Sequence, residues 1–170
     1  MLSALILLRP AAVPKWRPGA RLDSEGAARA RAMADFLQLY NPTELLSGTE
    51  PACAETLAPL AERLELEVDV RPDLAADVPR LPGGGESRAA WLAARAVRAL
   101  PDSRRTAVVC AREGVLSALL VAVASRDAHD LPDSGFELPF EDTSQPAPSG
   151  GWVLRHEEGR LREIRPLAAA

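Results

Sequence analysis

The sequence predicts an α/β protein: a three-layer α/β/α sandwich with a mostly parallel central sheet and a C-terminal antiparallel hairpin. Three observations carry that expectation. Residues 2–8 (LSALILL) and 106–111 (TAVVCA) are short apolar runs without polar alternation, the pattern of strands buried on both faces. Segments with helical spacing alternate with strand-like runs, which is how parallel sheets are connected. Near the end, residues 152–156 and 160–165 flank Glu157-Glu158-Gly159 and read as a hairpin.

The elements follow in order. The first strand ends in Arg9-Pro10 within the run LSALILLRPAAV (2–13), and residues 13–22 carry Pro14 and Pro18 and read as a loop. Asp23 offers an N-cap, with Glu25 in the first turn where the helix dipole favours acid. Ala30, Met33, Ala34 and Leu37 keep i, i+3, i+4, i+7 spacing, so a helix runs to about Tyr40, where Asn41-Pro42 stops it. Residues 44–47 form a short strand. Pro51 suits the first turn of a second helix, whose stripe is Leu57, Leu60, Ala61 and Leu64. Residues 66–70 alternate as a strand, and Pro72 ends it. Residues 71–86, with their prolines and Gly83-Gly84-Gly85, read as loop, and Ser87 or a neighbour caps a third helix to about Leu100. Residues 114–125 are apolar on nearly every side, which implies an enclosed helix. Residues 126–150 are rich in Pro, Asp and Ser and form a long excursion.

At 170 residues the chain reads as a single domain spanning 1–170, long enough to bury about 70% of its unfolded surface. A net charge of −4 and a pI near 5.3 argue against nucleic-acid and membrane-surface partners. No apolar run approaches the roughly 20 residues of a membrane span. The N-terminal run lacks a leading basic region and ends in Arg9, so it reads as a strand rather than a signal peptide. Two cysteines, Cys53 and Cys110, are too few for a disulfide scaffold and point to a reducing cytoplasm.

Carboxyl ends of buried parallel strands are where open α/β folds place ligands, so Arg9 marks an anion site or a structural ion pair. Arg112, after the second buried strand, is a second candidate anion ligand, with a solvated or ion-paired arginine as its plain reading. Cys53 and Cys110 read as buried and inert rather than as reactive thiols. The glycine run 83–85 lacks the lysine and hydroxyl of a phosphate-binding P-loop and reads as a turn. His156 on the hairpin reads as a surface residue. No metal-ligand spacing occurs, and no cofactor motif is present.

Several motifs together resemble the histidine phosphatase (phosphoglycerate-mutase-like) superfamily. Arg9-Pro10-Ala11 is similar to its Arg-His-Gly or Arg-His-Ala signature. Leu22-Asp23-Ser24-Glu25-Gly26 resembles the Leu-Ser/Thr-x-x-Gly that opens its first helix. The stretch 45–74 is similar to its Ser-x-x-x-Arg-x-x-x-Thr segment, VVCAREGVLSALL (108–120) to its strand, Ser-His-Gly turn and buried helix, and 150–164 to the C-terminal hairpin of short phosphohistidine-phosphatase-type members. The resemblance implies chemistry by two histidines, two arginines and a carboxylic acid, one histidine carrying the phosphoryl group.

Carried over position by position, the first arginine is kept as Arg9. Pro10 stands for the nucleophilic histidine, Ala52 for the second arginine, and Arg112 for the second histidine. Ala75 and Ala76 stand where the acid is expected, with Asp77 and Glu86 nearby. Proline offers no lone pair to phosphorus. Arginine stays protonated, so it cannot act as a base, but it is a permanent anion clamp. The chain's two histidines, His129 and His156, match no family position. The resemblance therefore implies a pseudophosphatase that keeps Arg9 of the family set and is degenerate at Pro10, Ala52 and Arg112. Its expected partner is a phosphorylated small molecule or a protein. The alternatives are a phosphatase using other residues and a purely structural subunit.

Overall fold

The computed structural model describes residues 1–11, 19–131, 138 and 150–167. The expected loop at 13–22 and the excursion at 126–150 fall largely outside these residues. Six strands form one sheet in the order β3-β2-β4-β1-β5-β6. They are β1 (Leu2–Leu8), β2 (Glu44–Ser47), β3 (Val68–Val70), β4 (Ala107–Cys110), β5 (Gly151–Glu157) and β6 (Arg160–Leu167). Pairings among β1 to β4 are parallel, and β5 and β6 add antiparallel to β1, as expected.

Four α-helices complete the layers among the described residues: α1 (Ser24–Leu37), α2 (Pro51–Leu64), α3 (Gly85–Ala96) and α4 (Glu113–Arg126). The alternation of β1 explains the two cores. Ala4, Ile6 and Leu8 face α1 and α2 with Met33, Leu37, Leu57 and Leu60. Leu5 and Leu7 face α3 and α4 with Leu92, Val115, Leu116 and Leu119. Both faces are covered, which is why the run lacks polar alternation.

Local chemistry sets the boundaries. The Asp23 side chain accepts from the Gly26 N–H at 2.7 Å and caps α1. Helix α2 begins at Pro51 and continues through Pro59. Nine residues of α4 are buried, from Gly114 to Ala124, matching its all-round apolarity. The hairpin turn is Glu158-Gly159, both with positive φ (49° and 79°), the backbone of a two-residue turn suited to strand twist.

Two boundaries differ from expectation. β3 starts at Val68, because Glu65 is left-handed and the Leu66 N–H bonds back to Ala61 O at 3.0 Å, so Leu66 belongs to the α2 C-cap. Helix α3 starts at Gly85, inside the glycine run, with Gly83 and Gly84 at φ 86° and 62° forming its lead-in. No helix among the described residues is long and apolar enough to cross a membrane.

Candidate functional site

β1 and β4 are neighbours, yet β1 leads to α1 on one face and β4 leads to α4 on the other. Their carboxyl ends therefore meet at a topological switch point, the place where open α/β sheets leave a crevice for ligands. Backbone bonds draw the strand ends together: Ala111 N–H to Leu8 O (3.2 Å), Gly48 N–H to Cys110 O (2.9 Å) and Arg9 N–H to Gly150 O (2.7 Å).

Arg9 is the first residue past β1, and its side chain continues the alternation toward the α4 side. The guanidinium carbon stacks 5.5 Å from the centre of the Trp152 ring, and Nε lies 3.3 Å from Glu113 Oε1. Both side chains are largely enclosed, at 23% and 16% exposed. The Arg9 Nε is buried without an aligned hydrogen bond, so Glu113 meets it as a charge rather than as an in-line acceptor. Glu113 opens α4, where the helix dipole favours a carboxylate.

Pro10 is buried at the next position. The Ala11 N–H donates to Thr56 Oγ1 (2.9 Å), and that hydroxyl donates to Ala52 O (2.7 Å), so Thr56 ties the chain after β1 to α2. Ala52 is fully buried and presents a methyl group where the resemblance implies a guanidinium. Ala75 and Ala76 are buried methyl groups, while Asp77 and Glu86 are exposed.

Arg112 occupies the N-cap position of α4, half-buried, with its electrostatic influence on Cys53 at the α2 N-terminus. Glu50, the residue before α2, faces the same thiol, with Oε2 3.9 Å from Sγ. Both arginines stand at the same sheet edge: Arg9 lies with Trp152 and Glu113, and Arg112 acts electrostatically on Cys53. The Cys53 thiol is pushed well above its ordinary value, first by the Cys110 side chain and then by burial. Both cysteines are free and fully buried, in keeping with the inert reading for Cys53.

The histidines lie elsewhere. His156 pairs with Ser3 near the amino end of β1, five residues from Leu8, or about 17 Å along the strand. His129 follows the carboxyl end of α4, its ring near Asp130 O (2.9 Å) and Arg162 O (3.4 Å). The expectation that His156 sits on the surface is corrected: it is 2% exposed. Its place in β5 turns the ring into the core, where Nδ1 meets Leu154 O at 3.2 Å and Nε2 meets Arg126 Nη2 at 3.2 Å. Burial first, then Arg126, lowers its pKa. This cluster clamps the end of α4 to the hairpin, with Asp127 Oδ2 accepting from the Leu161 N–H at 2.7 Å. A cleft of about 300 Å³ lined by Leu2, Ala4, Tyr40, Thr106 and Arg155 also opens at that amino-terminal edge, far from Arg9.

Sequence reasoning missed Glu113 and Trp152. Glu113 had one signal, an acid directly after Arg112 at a helix start. Trp152 had none, since it reaches Arg9 only through the pairing of β5 with β1, in which Leu7 lies opposite Trp152.

No protein-family model matches the sequence, and no curated protein does. Solved structures match it over nearly its whole length. A mycobacterial glucosyl-3-phosphoglycerate phosphatase superposes with a TM-score of 0.65 at 18% identity, covering 100% of both chains. The SixA protein of Nakamurella multipartitia gives 0.54 at 20% identity, covering 99% of this chain and 98% of its own. An Escherichia coli protein assigned to alpha-ribazole-5'-P hydrolysis gives 0.62 at 13% identity, covering 98% and 96%. With its mostly parallel sheet, its antiparallel hairpin and Arg9 at the carboxyl edge of β1, the chain has the fold of the histidine phosphatase superfamily.

Proposed function

We propose that this protein is a catalytically silent form of that fold, which binds a phosphorylated ligand at the carboxyl edge of β1 without forming a phosphohistidine. One observation carries the reading. The chain has two histidines, and both lie at the opposite end of the sheet from Arg9, while Pro10 follows the arginine. Proline cannot attack phosphorus, Arg112 stays protonated, and the Cys53 thiol is held neutral by its surroundings. Fold alone does not determine activity, which depends on the residues at the site. What persists is a cation, Arg9, held on an aromatic face at a switch point. The same fold holds inorganic phosphate in the mycobacterial phosphatase.

A charge-assisted contact contributes roughly 1.5–3 kcal/mol, and desolvation and ordering offset part of it, so binding is weak, on the order of 10 to 100 mM. The test joins two assays. p-Nitrophenyl phosphate should show no turnover above a protein-free control. Titration calorimetry with inorganic phosphate should show weak, salt-sensitive binding that Arg9→Ala removes. Turnover, or binding unchanged in Arg9→Ala, contradicts the proposal.

A further inference from the structure

Resting on that reading, we infer that Glu113 is a tethered anion that occupies the Arg9 site and holds it closed. An external anion can gain Arg9 only by displacing this carboxylate.

The geometry is that of a self-ligated site. Arg9 is poor in water contact, at 23% exposed, and stacks on Trp152, so its charge needs a counter-ion nearby. Glu113 supplies it at 3.3 Å, itself only 16% exposed. The carboxylate comes from the first turn of α4, so it also lies at the positive end of a helix dipole. A phosphate would want the same two things, a guanidinium and a helix N-terminus. Glu113 takes both. The contact is nevertheless incomplete. Arg9 Nε makes no aligned hydrogen bond, so the internal carboxylate neutralises the arginine without saturating its donors. An anion with more acceptor oxygens and a freer approach satisfies that nitrogen better than a side chain anchored to α4. The arrangement therefore resists weak anions and yields to a phosphate monoester.

The consequence is specific to Glu113. Replacing it by Gln keeps the shape and removes the competing charge. Phosphate affinity should then rise by roughly 10- to 100-fold, the range set by one charge-assisted contact. Glu113→Ala should act in the same direction, which covers re-formation of the contact by the amide.

The experiment titrates inorganic phosphate into the intact protein, Glu113→Gln, Glu113→Ala and the Arg9→Ala/Glu113→Gln double variant. Calorimetry and the ¹⁵Nε–H resonance of Arg9 are the readouts, with melting curves confirming that each variant folds. Tighter binding in both single variants, an Arg9 resonance that moves with phosphate, and loss of both in the double variant support the inference. Wild-type binding through Arg9 that is unchanged in Glu113→Gln and Glu113→Ala overturns the closed-site inference and leaves the anion site standing. No binding by any folded variant at tens of millimolar phosphate overturns both.

Discussion

Acid stability offers a quantitative check on the hairpin clamp. His156 is neutral in the fold: Nδ1–H donates to Leu154 O, and Nε2 accepts from Arg126. A proton on Nε2 would replace that acceptor with a second cation facing the guanidinium, with Asp127 Oδ2 4.0 Å away as partial compensation. The folded pKa is accordingly below the ordinary value, through burial first and Arg126 second. In the unfolded chain the same ring takes up a proton as pH falls through about 6.5. The unfolded state then binds more protons than the folded one, so stability falls with acidification. The loss begins near pH 6.5 and continues down to the folded pKa, with a limiting slope of about 1.4 kcal/mol per pH unit. Asp127 acts lower: its folded pKa is depressed, chiefly by Arg126, and its contribution is lost only as pH falls below about 3.8 through the folded value. Urea unfolding between about pH 7.5 and pH 5, in wild type and His156→Gln, isolates the histidine. The wild type should lose stability more steeply below about pH 6.5 than the variant does. Equal slopes would refute the reasoning.

Other consequences are simpler. Gly151→Ala should destabilise by about 3 kcal/mol or more, since at φ 154° an added Cβ falls on the Leu7 carbonyl oxygen; a melting temperature within a few degrees of wild type contradicts this. Thr56→Val should cost roughly 1–3 kcal/mol in urea unfolding by stranding the Ala11 N–H, and an unchanged midpoint would contradict the tie to α2. Cys53 should resist iodoacetamide in the native protein and react once unfolded; native-state alkylation detected by peptide mass would show that its thiol is neither buried nor held neutral.

The parallel layers were legible because their signal is local. β1 and β4 are short apolar runs, α1 announces itself by Asp23 and its spacing, and the glycine in Glu158-Gly159 marks the hairpin turn. The misreadings came from signals that tertiary contacts override. Leu66 looked like a strand residue, but its N–H closes the α2 C-cap. Gly83-Gly84-Gly85 looked like turn throughout, yet the last of them begins α3. His156 looked exposed because hairpins commonly are, whereas the layer of β5 that faces α4 is core. At the site, Arg9, Pro10, Ala52 and Arg112 could be located by position along the chain. The partners of Arg9 could not. Trp152 lies 143 residues away in sequence and Glu113 lies 104, and both are brought in by sheet order rather than by any motif.

The proposed loss of phosphohistidine chemistry can be tested on the chain itself. Its most direct test is to incubate the protein with acetyl phosphate labelled with ³²P and assay acid-labile, base-stable label on the chain. No label above a denatured control is expected. Stoichiometric phosphohistidine, mapped by peptide mass to His129 or His156, would contradict it.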